Sequence, residues 1–392
     1  MHVAIEGSTW VNPRGYGRFT REFTRALLRA PSNHRFTMVL DTGAAAATDL
    51  PDVPRIVAAT RESVVSAAGA DGARSPYDLW RMGAALSARE FDAVVFPTLY
   101  SYVPVLSRAH VTVVVHDAMP ETMPDLVLGS QRARLLWKAK TWLACRRADA
   151  LATVSEASAT EIRRHLPLAA DTNVLVLTEG VDQVFTAVPS AGDAPARVSW
   201  TRGDAPYVLY VGGLSPHKRV ASLVEAFGRV AKDPNHATLR LVLAGPGEID
   251  TFRSDNHGLA AALEALGPAR TRVVHTGFVP DEALAALYRG AACVVLPSIV
   301  EGFGLPALEA MACGAPVLAA RTPALEEVCA GAVDYFDRIE ELPARLAQLL
   351  NDGERRAVLG RAGPIRARHF SWDEAARRWL TAVEARRETV PC

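Results

Sequence analysis

Pro297-Ser-Ile-Val-Glu301-Gly-Phe-Gly-Leu-Pro-Ala-Leu-Glu309 follows directly on the apolar run Val294–Leu296. A short branched apolar run, a turn holding Gly302 and Gly304, and a helix with Pro306 near its first position read as strand, turn and helix. Ligands on open parallel sheets bind at the carboxyl ends of strands, which is where this turn falls. Free backbone amides and the positive end of a helix dipole suit a phosphate there. The two glycines let the backbone approach a ligand with no Cβ in the way. Glu301 precedes the helix and Glu309 sits about one turn inside it, so one carboxylate can face the sugar side of a phosphate ligand and the other its ribose side. A carboxylate accepting two hydrogen bonds from a diol fixes orientation strongly. Alone, either acid reads as a solvated helix-terminus residue; paired across a Gly-Phe-Gly turn, they read as a site.

The same grammar extends in both directions. Apolar runs at His2–Ile5, Phe36–Leu40, Ala93–Phe96, Val111–Val115 and Val174–Leu177 precede a break, and Tyr207–Val211, Leu239–Ala244, Val294–Leu296 and Pro316–Ala319 follow it. Their near-continuous Val, Leu and Ile content predicts strands buried on both faces, alternating with helices in doubly wound α/β units. The break at residues 185–206 is rich in Pro, Ala, Gly and Asp, lacks periodicity and reads as a linker. Gly43–Asp49 and Ala67–Arg74 read as loops of small residues. Ser371-Trp-Asp-Glu374 has capping-box spacing and opens a last helix that runs to about Arg387.

Composition bounds the function. A chain of 392 residues, 49% hydrophobic and 22% charged, fills two ordinary cores. Lys plus Arg and Asp plus Glu both total 43, a neutral balance that argues against nucleic acid as a partner. The five scattered cysteines show no C-x-x-C spacing, which fits a reducing compartment better than a disulfide framework or a structural zinc site. Met1 runs straight into a strand without the apolar core of a signal peptide, and no apolar run approaches the roughly 20 residues of a spanning helix. The expected setting is cytoplasmic.

Glu301-Gly-Phe-Gly-Leu-Pro-Ala-Leu-Glu309 resembles the E-x7-E motif of retaining GT-B glycosyltransferases, specifically glycosyltransferase family 4. Ala310-Met-Ala-Cys-Gly-Ala-Pro-Val317 extends the likeness in register, as does Gly277-Phe-Val-Pro-Asp281 upstream. The resemblance implies two Rossmann-like domains facing each other across a cleft: an acceptor domain over 1–184, a donor domain over 205–370, and a helix over 371–392 crossing back to the first. It implies that Glu309 binds ribose, that Glu301 binds donor-sugar hydroxyls, and that Gly302, Phe303, Gly304 and Leu305 offer backbone amides. Main-chain groups around Val279 would meet the nucleobase. In Tyr207-Val-Leu-Tyr-Val-Gly212-Gly-Leu-Ser-Pro-His-Lys218-Arg219, Lys218 matches the diphosphate-holding lysine, while Gly213 stands where the family commonly has Arg. His217 or Arg219 is the substitute donor. A fixed cation that tightens on the leaving diphosphate lowers the barrier and fills the role a divalent metal would otherwise take. No metal and no cofactor is expected, since no D-x-D element stands at a strand end.

In the first half, Val113-Val-Val-His116-Asp117 ends a strand and, with Pro120, resembles the H-D-x-x-P form of mannosyltransferases and relatives. The likeness places His116 against the donor sugar. Asn12-Pro-Arg-Gly15-Tyr-Gly17-Arg18 resembles the G-G-x-G-R loop before the first helix, so Gly15 and Gly17 join the donor-binding set. Ser155 reads as a helix cap, and Glu179 replaces the Asn that relatives carry in Pro-Asn-Gly-Val-Asp. Residues 131–147 hold six basic residues and no acidic one. On a helical wheel Leu135, Leu136, Ala139, Trp142 and Leu143 gather on one side, which predicts a core-packed helix with snorkelling cations. Peripheral contact with an anionic membrane, at the inner face, is the other reading.

The function implied is hexosyl transfer from a nucleotide-sugar donor, GDP-mannose first, to a glycan, glycolipid or small-molecule acceptor, with closure of the domains excluding water. UDP-glucose and UDP-N-acetylglucosamine are the competing donors. A GT-B epimerase or phosphorylase and a non-catalytic sugar-binding protein are the other classes; a nicotinamide oxidoreductase is not, because the dinucleotide G-x-G-x-x-G pattern is missing. Oligomeric state is left open.

Overall fold

The structure is a computed structural model describing residues 1–13, 15–64, 75–88, 90–169, 172–246 and 256–389. The chain divides into two compact units, one of Met1–Gly180 with Ser371–Cys392 and one of Val181–Phe370.

The first unit is built on a seven-stranded sheet. Its strands are β1 (His2–Glu6), β2 (Arg35–Asp41), β3 (Arg55–Ala58), β4 (Ala93–Phe96), β5 (His110–Val114), β6 (Ala150–Thr153) and β7 (Val174–Val176). They lie in the order β3-β2-β1-β4-β5-β6-β7, and every pairing is parallel. The helix Gly15–Arg29 buries Phe19, Phe23, Ala26 and Leu27, the i, i+4, i+7, i+8 stripe of an amphipathic helix. The C-terminal helix Trp372–Thr389 packs on it edge to face, Trp372 on Phe19 at 5.5 Å and Trp379 on Phe23 at 6.2 Å between ring centroids. At the start of that helix Glu374 takes the guanidinium groups of Arg377 and Arg378.

The second unit is built on a six-stranded parallel sheet of β8 (Tyr207–Val211), β9 (Arg240–Ala244), β10 (Val273–Gly277), β11 (Cys293–Leu296), β12 (Val317–Ala320) and β13 (Asp334–Phe336). The order is β10-β9-β8-β11-β12-β13. The helix Val220–Val230 covers it with Leu223, Val224 and Phe227, all fully buried beside Val295, Leu318 and Phe336. Both sheets are therefore doubly wound, each reversing direction beside its first strand: between β1 and β4 in one unit, and between β8 and β11 in the other.

Three expectations need correction. Residues 185–206 are not a bare linker: the helix Asp193–Thr201 lies within them, and Arg289 donates to both carboxylate oxygens of its Asp193 at 2.6 Å. A buried ion pair, and not an apolar stripe, docks this helix, so hydrophobic periodicity could not reveal it. In the helix Gln131–Arg147 the gathered face is the exposed one. Leu135, Leu136, Ala139, Trp142 and Leu143 stand in solvent, while Trp137, Thr141, Ala144 and Cys145 are buried. The edge strands β3, β10 and β13 are absent from the list of apolar runs because they are short and partly exposed, and the buried interior strand β6 is absent because Ala-Leu-Ala-Thr holds no branched apolar run. Within Gly43–Asp49 a single 3-10 turn, Ala44–Ala46, forms; the loop expected over Ala67–Arg74 lies outside the described residues. Among the described residues no helix is long and apolar enough to cross a membrane.

Candidate active site

The loops leaving β8 and β11, the neighbours at which the second sheet reverses, and the helix Leu305–Ala312 that follows β11 carry the residues singled out in that half other than Val279. A switch point of this kind opens a crevice at the strand ends because the chain leaves the two strands in opposite directions. After β8 the chain passes through a 3-10 turn, Pro216–Lys218, into the helix Val220–Val230. After β11 it passes through Pro297–Gly304 into the helix Leu305–Ala312. The Ile299 amide donates to the His217 carbonyl at 2.8 Å and ties the loops together.

Across that tie, Lys218 Nζ donates to both Glu301 oxygens at 2.8 Å. Burial pushes the Glu301 carboxyl upward, but the Lys218 charge and hydrogen bonds, a bond from Ser298 and the charge of His217 together outweigh it and hold the group below its ordinary range. Glu301 is thus an anion whose orientation Lys218 fixes, and Lys218 is an ammonium held at the mouth of a helix N-terminus. Arg219 follows in the left-handed region, φ 49°, as the N-cap of its helix, a conformation that costs a side-chain-bearing residue about 1–2 kcal/mol. Gly213 is committed through its carbonyl, which accepts the Tyr210 hydroxyl at 2.5 Å.

The Glu301-to-Glu309 segment divides its tasks by burial. Gly304 caps the helix at φ 97°, and a Cβ there would overlap Leu325 Cδ2, so glycine is required on both counts. Phe303 turns into the core, edge-on to Phe370 at 5.5 Å, and Leu305 is buried as well. What these two residues can offer a ligand is backbone. Glu309 is buried, its Oε2 accepting the Tyr288 hydroxyl at 3.0 Å. Val279, also buried, lies in the turn after β10, at the carboxyl edge of the same sheet.

In the first unit, the helix Gly15–Arg29 begins after β1, the strand at that sheet's switch point. A Cβ on Gly17 would overlap the Asn12 carbonyl oxygen, whereas one on Gly15 would meet nothing within 4 Å. Gly17 is thus imposed by packing, and Gly15 is not. Two residues on, the Phe19 ring meets His116 edge-on at 4.8 Å and brings this helix against the end of β5. His116 Nε2 lies 2.9 Å from the Pro97 carbonyl oxygen, which makes it the donor nitrogen. Its Nδ1 lies 3.7 Å from Oε1 of the buried Glu179. Asp117 accepts the Met119 amide at 2.8 Å, and Ser155 caps the next helix by accepting from the Ser158 amide.

The sequence reading missed Tyr288 and Ser298 as partners of the two motif carboxylates. Tyr288 sits at helical spacing from Leu284, which reads as ordinary core; Ser298 lies inside the quoted motif and carries no spacing signal of its own.

Residues 13–184 match Glycosyltransferase Family 4, and residues 196–366 match Glycosyl transferases group 1. The chain is 32% identical over 182 residues to O-antigen chain mannosyltransferase B of Escherichia coli, covering 45% of each chain. It is 37% identical over 221 residues to D-inositol 3-phosphate glycosyltransferase of Salinispora tropica, covering 53% of this chain and 45% of that one. The matches thus span less than half the length of either curated relative. Among solved structures, sucrose-phosphate synthase of Thermosynechococcus elongatus superposes over 100% of both chains with a TM-score of 0.76 at 18% identity, a likeness of GT-B fold.

Proposed function

The chain belongs to glycosyltransferase family 4, and from that premise we propose that it is a retaining, metal-independent hexosyltransferase using a nucleoside-diphosphate sugar. GDP-mannose is the first donor, in line with the similarity to a mannosyltransferase, and the acceptor is a hydroxyl of a glycan, glycolipid or small molecule. The observation that carries the reading is the Lys218–Glu301 pair beside the amides that open the helix Leu305–Ala312.

In this reading the donor diphosphate takes Lys218 and backbone amides of the Gly302–Leu305 turn, Glu309 takes the ribose, and Glu301 takes sugar hydroxyls. The anomeric carbon–phosphate oxygen bond breaks as the acceptor oxygen bonds to the same face of that carbon, and the acceptor proton passes to the leaving phosphate. Charge accumulates on the phosphate as it leaves, so a fixed ammonium and aligned amides hold the transition state more tightly than the ground state. His116 completes the proposed catalytic set.

The test is transfer from GDP-mannose, UDP-glucose and UDP-N-acetylglucosamine, each in EDTA, with the product anomer assigned by NMR. Retained configuration with one donor in EDTA supports the proposal. An inverted product, or turnover that appears only when a divalent cation is restored, refutes it.

A further inference from the structure

The helix Gln131–Arg147 is apolar on two sides, and only one of them is covered. Trp137, Ala144 and Cys145 enter the core. On the opposite side Leu135, Leu136, Trp142 and Leu143 are 70%, 48%, 49% and 42% exposed, at positions i, i+1, i+7 and i+8 of one helical stripe. At the C-terminal end Arg147 donates to the carbonyls of Val105, Ser107 and Ala109, and so clamps against the helix a segment whose Leu106 is 89% exposed.

The margins of this surface are cationic. Arg132, Lys138 and Arg146 are exposed on the helix, and Arg108 on the clamped segment. Arg146 lies over the Trp142 ring at 5.3 Å, so cation and aromatic are presented together. Soluble chains seldom leave a contiguous row of Leu and Trp in water. Asp125 and Asp149 pair with Arg134 and Arg147 and leave Arg108, Arg132, Lys138 and Arg146 in excess; an apolar centre with a net cationic margin is complementary to a surface that is apolar beneath and negative on top.

We propose that this face docks on an anionic lipid bilayer, the helix lying in the interface with Leu and Trp at the acyl boundary and Arg and Lys on the phosphates. None of these residues belongs to the candidate site, so the proposal stands or falls apart from the glycosyltransferase reading.

The full chain is sedimented with vesicles of phosphatidylcholine alone and of phosphatidylcholine mixed with phosphatidylglycerol. It should bind the mixed vesicles and release as salt rises. Leu135→Ser with Trp142→Ser should lower partitioning at least tenfold, and Lys138→Gln or Arg146→Gln should each lower it about fivefold. Because these side chains are exposed, the variants should keep the parent melting temperature; should the Ser pair unfold, the two Gln variants carry the test alone. Absence of binding to the mixed vesicles, equal binding to both kinds, or binding unchanged in the Gln variants would overturn the proposal. Concentration-dependent dimers without vesicle binding, abolished by the Ser pair, would also overturn it and make a second copy of the chain the occupant.

Discussion

Lys218→Met separates the two halves of the buried pair. Lys218 meets both Glu301 oxygens at 2.8 Å, with side chains 23% and 11% exposed. Removing one member of a buried pair costs about 3–5 kcal/mol because the other charge stays behind. The partial exposure of Lys218 reduces this to about 2–3 kcal/mol by solvent screening. At about 2–4 °C per kcal/mol for a unit of this size, the melting temperature should fall by about 4–12 °C.

The pH dependence fixes the cause. In the parent, Glu301 titrates below its ordinary 4.5, so the stabilisation is complete above that value and is lost as pH falls through the lower folded value. In the Met variant burial is largely unopposed and the folded value rises, so the penalty is full at neutral pH and disappears as acid protonates the group. The deficit between parent and variant should therefore be widest near pH 7 and shrink toward pH 4.5, and Glu301→Gln in the Met background should recover most of it. Thermal unfolding of the parent, Lys218→Met and the double variant across that range is the assay. A shift below about 1 °C, a deficit equal at both ends of the range, or a double variant no better than Lys218→Met would refute the reasoning.

Other outcomes follow from the same geometry. Gly304→Ala places a Cβ on Leu325 at positive φ and should cost about 1–3 kcal/mol in thermal unfolding, with loss of donor binding by titration. Gly17→Ala should destabilise and slow turnover because its Cβ meets Asn12, while Gly15→Ala, with open space around it, should stay within about 0.5 kcal/mol of the parent. Arg289→Met strips Asp193 of the bonds that hold its carboxyl below its ordinary 3.8. It should cost about 3 kcal/mol at neutral pH, a loss that fades only as pH falls through the range where Asp193 protonates. Burial pushes the thiols of Cys145, Cys313 and Cys329 up to about 12, so these three should label slowly with a thiol reagent at pH 8 in the native protein and fully once it is denatured.

How much of this was written in the sequence depends on where each residue lies. Most central strands announce themselves because burial on both faces favours unbroken branched apolar runs: Val208 and Leu209 of β8 and Val294 and Val295 of β11 are fully buried, whereas β6, equally buried, reads Ala-Leu-Ala-Thr and gives no such run. At the edges the requirement lapses, and β3 alternates exposed and half-buried residues before Ala58. The helix Asp193–Thr201 hid for a different reason: its anchor, Arg289, lies 96 residues away, and no local period encodes such a contact. The wheel drawn on residues 131–147 grouped its apolar side chains correctly and chose the wrong side, since a helix apolar on two faces does not say which one meets the core. For the site, spacing brought Glu301, Gly304 and Glu309 to one strand–helix junction. That Glu301 pairs with Lys218, 83 residues earlier, and that Tyr288 holds Glu309, only the folded sheet reveals.

Under the proposed function, the loops after β8 and β11 hold a nucleoside diphosphate without a metal. Calorimetric titration of the chain with GDP and with UDP in EDTA, repeated on Lys218→Met at a temperature where both proteins are folded, tests it most directly. One of the two nucleotides should bind, and the variant should weaken it about ten- to a hundredfold, the value of a charged hydrogen-bond donor to a phosphate. Binding of neither nucleotide to the parent, or equal affinity in the variant, would contradict the proposal.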